Sequence, residues 1–96
     1  MGLNIPLKYQ NDIDTAINLL KKEGCESVYL FGSLVTGKIH RNSDIDIGIR
    51  GLPPGKFFNV YAKLDNCLSN NIDLVDFDAN CKFYDLLSSL GEVVEI

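Results

Sequence analysis

Positive charge is scarce in this chain. Nine Lys and Arg residues stand against thirteen Asp and Glu, a formal net charge of −4 over 96 residues. Binding along a nucleic-acid backbone is driven by counterion release onto a basic face. Too few cations are present to build one, so no direct DNA binding is expected. A small anion stays open as a ligand where a metal bridges it to the acids. Long apolar runs are missing as well. None approaches the roughly 20 residues of a membrane span. The start Met-Gly-Leu-Asn-Ile-Pro lacks the basic head and apolar stretch of a secretory signal. A cytoplasmic protein with no membrane contact is the expectation. Cysteine is limited to Cys25, Cys67 and Cys81, at unrelated spacings and with no Cys-x-x-Cys pair. That excludes a disulfide framework or structural zinc site and leaves small, buried or half-buried thiols. The single histidine, His40, lies in a polar stretch and reads as a surface residue. Repeats, low-complexity segments and linkers are absent.

What is present fits one domain spanning residues 1–96, since a chain this short supports a single core. Hydrophobic residues at 46% and charged ones at 23% exclude disorder. The spacing predicts a helix over Asn11–Glu23. Asn11 or Asp12 would cap it, and Ile13, Ala16, Ile17 and Leu20 would line one face. Gly24 follows as its stop. Ser27–Phe31 reads as a buried strand, and Leu34–Thr36 as a turn or two of helix. Lys38–Ser43 is loop, and Asp44–Arg50 is a strand of period two. Phe57–Asn70 is a second long helix with a stripe of Phe57, Val60, Tyr61, Leu64 and Leu68. Ile72–Phe77 is a third strand. Asn80–Ser89 is a helix whose apolar side is Phe83, Leu86, Leu87 and Leu90. Val93–Ile96 is a terminal edge strand. The aromatics Phe57, Phe58, Tyr61, Phe83 and Tyr84 read mostly as core. The order of elements predicts an α/β (α+β) domain: one small mixed sheet with helices packed on it.

The chemistry concentrates between Gly32 and Asp46. Gly32-Ser33 ends a strand and opens a short helix. A residue without Cβ allows close approach of a ligand, and free amides at a helix start favour an anion. Asp44 and Asp46 lie two apart on a strand, so both carboxylates leave one face, roughly 6.5–7 Å apart. Such a pair repels unless a cation sits between. Asp73, at the edge of a mostly core-facing row, calls for a partner of its own. Strand phase does not choose between Asp73 and its neighbours Asp76 and Asp78. Three carboxylates suit a hard ion such as Mg²⁺, which also takes phosphate oxygens.

Gly32-Ser33, ten intervening residues, then Asp44-Ile45-Asp46, with Ser43 before the pair and a later Asp in Ile72-Asp73-Leu74-Val75, resembles a known signature. It is similar to the nucleotidyltransferase superfamily related to DNA polymerase beta. Within it the chain resembles the minimal nucleotidyltransferases of HEPN/MNT toxin–antitoxin systems. The resemblance implies the nucleotidyltransferase fold and a metal-dependent transfer of NMP, AMP from ATP, to a hydroxyl. The acceptor it implies is a tyrosine of a HEPN-type toxin partner, which would make the chain an antitoxin. It implies that Gly32 and Ser33 hold the outer phosphates. Asp44, Asp46 and Asp73 would be catalytic, as ligands of two Mg²⁺ ions. Thr36 departs from the pattern, because many relatives carry Arg there. Lys38 or Arg41 is left to contact phosphate in its place. Two alternatives remain: a small-molecule transferase, aminoglycoside-like, with an acceptor pocket built by oligomerisation, or an antitoxin that acts by binding alone.

Overall fold

The computed structural model describes residues 5–39 and 44–96. Its elements are α1 (Leu7–Lys22), β1 (Ser27–Phe31), α2 (Ser33–Thr36), β2 (Ile45–Arg50), α3 (Phe57–Cys67), β3 (Ile72–Asp76), α4 (Cys81–Ser89) and β4 (Val93–Glu95). The strands form one mixed sheet in the order β3-β2-β1-β4. β1 is antiparallel to both β2 and β4, whereas β2 and β3 are parallel. A parallel pair needs a long crossover, and α3 provides it.

The period-two alternation of β2 divides the molecule. Ile45, Ile47 and Ile49 enter the main core with Val28, Leu30, Ile72 and Leu74. That face packs against Tyr9, Ile13, Ala16 and Leu20 of α1 and Val60 and Leu64 of α3. Each such side chain contributes about 1.5–3 kcal/mol by burial. The other face carries a much smaller cluster of Tyr29, Phe31, Phe77 and Leu87. Phe77 is fully buried, and its ring occupies the space where a side chain at position 48 would stand. Gly48 is therefore the floor of the aromatic cluster. Phe31, the member of this cluster in register with Asp46, is buried, and Asp46 itself is half-buried.

Several expectations from the sequence need correction. α1 begins at Leu7, a turn before Asn11, with Pro6 at its N-cap and no side-chain cap. Tyr9, fully buried, extends the Ile13–Ala16–Leu20 stripe backward. Asp12 is inside the helix and only 4% exposed. Its carboxylate accepts the backbone N–H of Ser69 at 3.1 Å and of Asn70 at 2.8 Å, and the Asn70 Nδ2 at 2.9 Å. That explains why α3 ends at Cys67 rather than Asn70: the next amides turn toward Asp12, and Leu68 becomes extended. Gly24, with φ +109°, does stop α1. Its N–H bonds Lys21 and that of Cys25 bonds Leu20, the paired closure of a glycine-stopped helix.

The cysteines divide: Cys25 is buried, and desolvation pushes its thiol up to about 11, whereas Cys67 and Cys81 are exposed. The α4 stripe is also mostly outside. Leu87 is buried, but Phe83, Leu86 and Leu90 are 38%, 54% and 57% exposed, and Phe58 on α3 is 83% exposed. Among the described residues no helix is long and apolar enough to cross a membrane. His40, Arg41 and Ser43 lie outside the described residues.

Candidate active site

β1 delivers the chain to Phe31, and the next residue must turn sharply to start α2. Gly32 does so at φ +76°, ψ −149°. The region is hostile to L side chains. A second constraint comes from β2. A Cβ on Gly32 would overlap the carboxylate of Asp46. Thus the feature that touches this glycine in the structure is the acid itself. Ser33 follows, half-buried, as the first residue of α2. The Val35 and Thr36 N–H groups donate to the Gly32 carbonyl at 3.0 and 3.1 Å, which leaves the Ser33 and Leu34 amides with no partner inside the turn.

Asp46 is centred in the register. It pairs with Phe31 of β1 on one side and with Asp73 of β3 on the other. Paired residues of neighbouring strands share a face, so Asp46 and Asp73 stand side by side. Asp44, one residue ahead of β2, is exposed. Asp73 is exposed too, so burial does not oblige it to find a partner. Register, rather than burial, is what brings it beside Asp46. Asp76 pairs with Ile49, on the opposite side of the strand, and accepts the Asp78 N–H at 2.9 Å. Asp78 accepts the Gly51 N–H at 2.8 Å. Both are engaged in turn geometry away from Asp46. A groove of about 460 Å³ lined by Phe57, Phe58, Leu74, Val75, Asp76, Ala79 and Asn80 contains none of the acids beside Asp46. Lys38 follows α2 and is exposed, its N–H 3.5 Å from the Thr36 hydroxyl. Arg41 lies outside the described residues.

The electrostatics follow from this packing. Partial burial, then Asp73, then Asp44 push the Asp46 carboxyl up to about 6, from an ordinary value near 3.8. A raised acid means that the folded state binds a proton more readily than the unfolded chain. Asp46 therefore opposes folding at neutral pH, and the penalty fades as pH falls through 6 toward 4. After allowance for solvent screening it is about 1–2 kcal/mol. Thermal unfolding in chelator should accordingly show a gain of several degrees between pH 7 and pH 5, and Asp44→Asn should reduce that gain slightly.

Among the described residues no three acidic, His or Cys side chains are gathered closely enough to hold a metal ion. Asp46 and Asp73 nonetheless stand side by side, with the negative charge of Asp73 and Asp44 crowding Asp46, and hard carboxylate oxygens are the donor type that Mg²⁺ takes. Tyr61, read from the sequence as part of an apolar stripe, approaches this region from α3. Its hydroxyl donates to the Ile72 carbonyl at 3.0 Å. Burial and then the Asp73 charge raise its phenol. No spacing in the sequence marks it, because its partner is backbone.

A glycine-serine turn into a helix, set against an acidic strand in a small mixed sheet, defines a domain of the nucleotidyltransferase class. The family model described as polymerase beta, nucleotidyltransferase matches residues 14–86. The chain belongs to this family. A crystal structure of a toxin–antitoxin with AMP-PNP is 37% identical, with TM-score 0.56, covering 71% of this chain and 56% of its own. The tri-AMPylated Shewanella oneidensis HEPN toxin in complex with MNT antitoxin is 28% identical, with TM-score 0.52, 72% of this chain and 56% of its own. A point variant of the MntA–HepT toxin–antitoxin is 25% identical, with TM-score 0.63, 88% of this chain and 70% of its own. The chain thus spans a little over half the length of the first two. Among curated proteins no sequence matches it.

Proposed function

We propose that this chain transfers AMP from ATP to a hydroxyl on a HEPN-type toxin, a tyrosine, and so acts as a cytoplasmic antitoxin. The observation that carries the reading is the placement of Asp46: in register with Asp73 and in contact with the glycine that opens α2. Two similar structures support it, one a toxin–antitoxin with AMP-PNP, the other with an AMPylated HEPN toxin beside its MNT antitoxin. Gly32 and Ser33 bind the outer phosphates, with the α2 amides and the Ser33 hydroxyl as donors. Lys38 and Arg41 are the cations available to them. Asp44, Asp46 and Asp73 would hold two Mg²⁺ ions. When bound, such ions neutralise phosphate charge and lower the pKa of the attacking hydroxyl. Asp73, the exposed acid, faces the acceptor and takes up its proton. The acceptor oxygen forms its bond to the α-phosphorus as the bond to the β-phosphate oxygen breaks, and pyrophosphate leaves.

Incubation with α-labelled ATP and a HEPN partner tests the reading. Label on the partner's tyrosine is expected, and its absence in the presence of Mg²⁺ refutes it. A second expectation separates the phosphate donors from the base site. Ser33→Ala should weaken ATP·Mg binding about tenfold but AMP binding little, because the lost hydrogen bond is to a charged outer phosphate. Calorimetry with both nucleotides measures the difference. Equal losses would remove Ser33 from that role. Mg²⁺ should also raise the melting temperature, and Asp44→Asn should reduce that gain.

A further inference from the structure

Tyr61 is placed where the outer edge of the sheet carries Asp73. β3 is an edge strand, and one side of its backbone has no neighbouring strand. The Asn71 carbonyl accepts the Ile45 N–H, and the Phe77 N–H donates to Ile49. In a parallel ladder the peptide groups of Ile72, Leu74 and Asp76 then face outward. Further along, the Asp76 carbonyl is taken by the Asn80 N–H at 3.0 Å and its Nδ2 at 2.9 Å. Beside Asp73 the closing group is a phenol. Tyr61 donates to the Ile72 carbonyl at 3.0 Å. The phenol thereby ties down the peptide group that leads into Asp73. α3 does not need this hydroxyl to dock, because Val60 and Leu64 are fully buried against the sheet.

We propose that Tyr61 is a positioning residue for Asp73, holding the backbone just before it so that its carboxylate stays beside Asp46. The inference rests on the metal-binding reading of the acids and extends it to a residue that touches neither metal nor nucleotide. Groups that orient a ligand typically change metal affinity by about 10–100-fold when removed.

Mn²⁺ alone, titrated and followed by paramagnetic resonance of the free ion, provides the test without any assay of transfer. The proteins are wild type, Tyr61→Phe, Asp73→Asn, the double variant, and Tyr84→Phe as a control that removes a phenol elsewhere. Tyr61→Phe should weaken Mn²⁺ about tenfold, with circular dichroism unchanged. Tyr84→Phe should leave affinity alone. On the Asp73→Asn background the Tyr61 change should add nothing, since it acts through Asp73. Unchanged affinity in Tyr61→Phe, with Asp73→Asn weakened, overturns the inference alone. An equal loss on both backgrounds, or a Tyr61→Phe protein that does not fold, also overturns it, because the hydroxyl then holds the sheet and not the acid. If Asp73→Asn itself binds Mn²⁺ as wild type does, the metal reading of that acid fails and the inference with it.

Discussion

Asp46→Asn is expected to reduce AMP transfer by about a thousandfold or more while the protein becomes more stable. The activity loss follows from removing a charge at the centre of the site. Metal stabilisation of developing phosphate charge is worth several kcal/mol, and about 4 kcal/mol is a thousandfold in rate. The stability gain follows from the raised carboxyl. Asp46 lies between Asp73 and Asp44 and is partly desolvated, so an uncharged amide removes the folding penalty present at neutral pH. Opposite changes in the two measurements separate this outcome from simple misfolding, which lowers both. Labelled transfer to the toxin and a melting curve in chelator are sufficient. Full activity in the variant would refute the catalytic role of Asp46. A lower melting temperature would mean that its carboxylate supports the fold.

Gly32→Ala carries the next largest expectation. Alanine at φ +76°, ψ −149° is strained by about 1–3 kcal/mol, and its Cβ would overlap the Asp46 carboxylate. Relief of that overlap has to come from moving Asp46 or opening the β1–α2 turn, at about 1–3 kcal/mol more. Stability should fall by about 2–6 kcal/mol in total, and transfer should fall with it. The two contributions can be separated by a cycle. On an Asp46→Ala background most of the overlap disappears, and only the backbone strain remains. Chemical denaturation of the four proteins should show a Gly32 effect smaller by at least about 1 kcal/mol on that background. Additivity would mean that the glycine is required for the turn alone.

The sequence revealed elements better than their neighbours. β1 and β2 were legible because four successive branched or aromatic residues, then three alternating isoleucines, have few other uses. The Gly32-Ser33 and Asp44-Asp46 spacing was legible for the same reason, as local pattern. The ends of helices were not. α1 starts at Leu7 after Pro6, which has no capping side chain, and α3 stops because Asp12, 57 positions before Ser69, takes its next amides. No window along the chain contains both partners. Strand order was equally hidden: the place of Asp73 depends on β3 joining β2 in parallel, a fact of pairing and not of periodicity. Gly48 stands in an alternating row, and nothing near it in sequence marks that Phe77 rests on it. α4 misled in the opposite direction. Its apolar residues have helical spacing, but the small cluster beneath it accommodates Leu87 and half of Tyr84, and leaves Phe83, Leu86 and Leu90 outside.

The edge position of β3 has a consequence for fluctuations of the native state. β3 pairs with one strand only, and Asp73 travels with it. Each local opening that peels β3 from β2 separates Asp73 from Asp46 and releases their repulsion. In the metal-free protein this repulsion lowers the free energy of that opening relative to the rest of the sheet. A cation bridging the two acids reverses the sign, since it binds only when the strands are joined. Amide protons of β3 should thus exchange with solvent faster than those of β1 without Mg²⁺, and slow selectively when it is added. The same two carboxylates loosen this edge in one state and fasten it in the other.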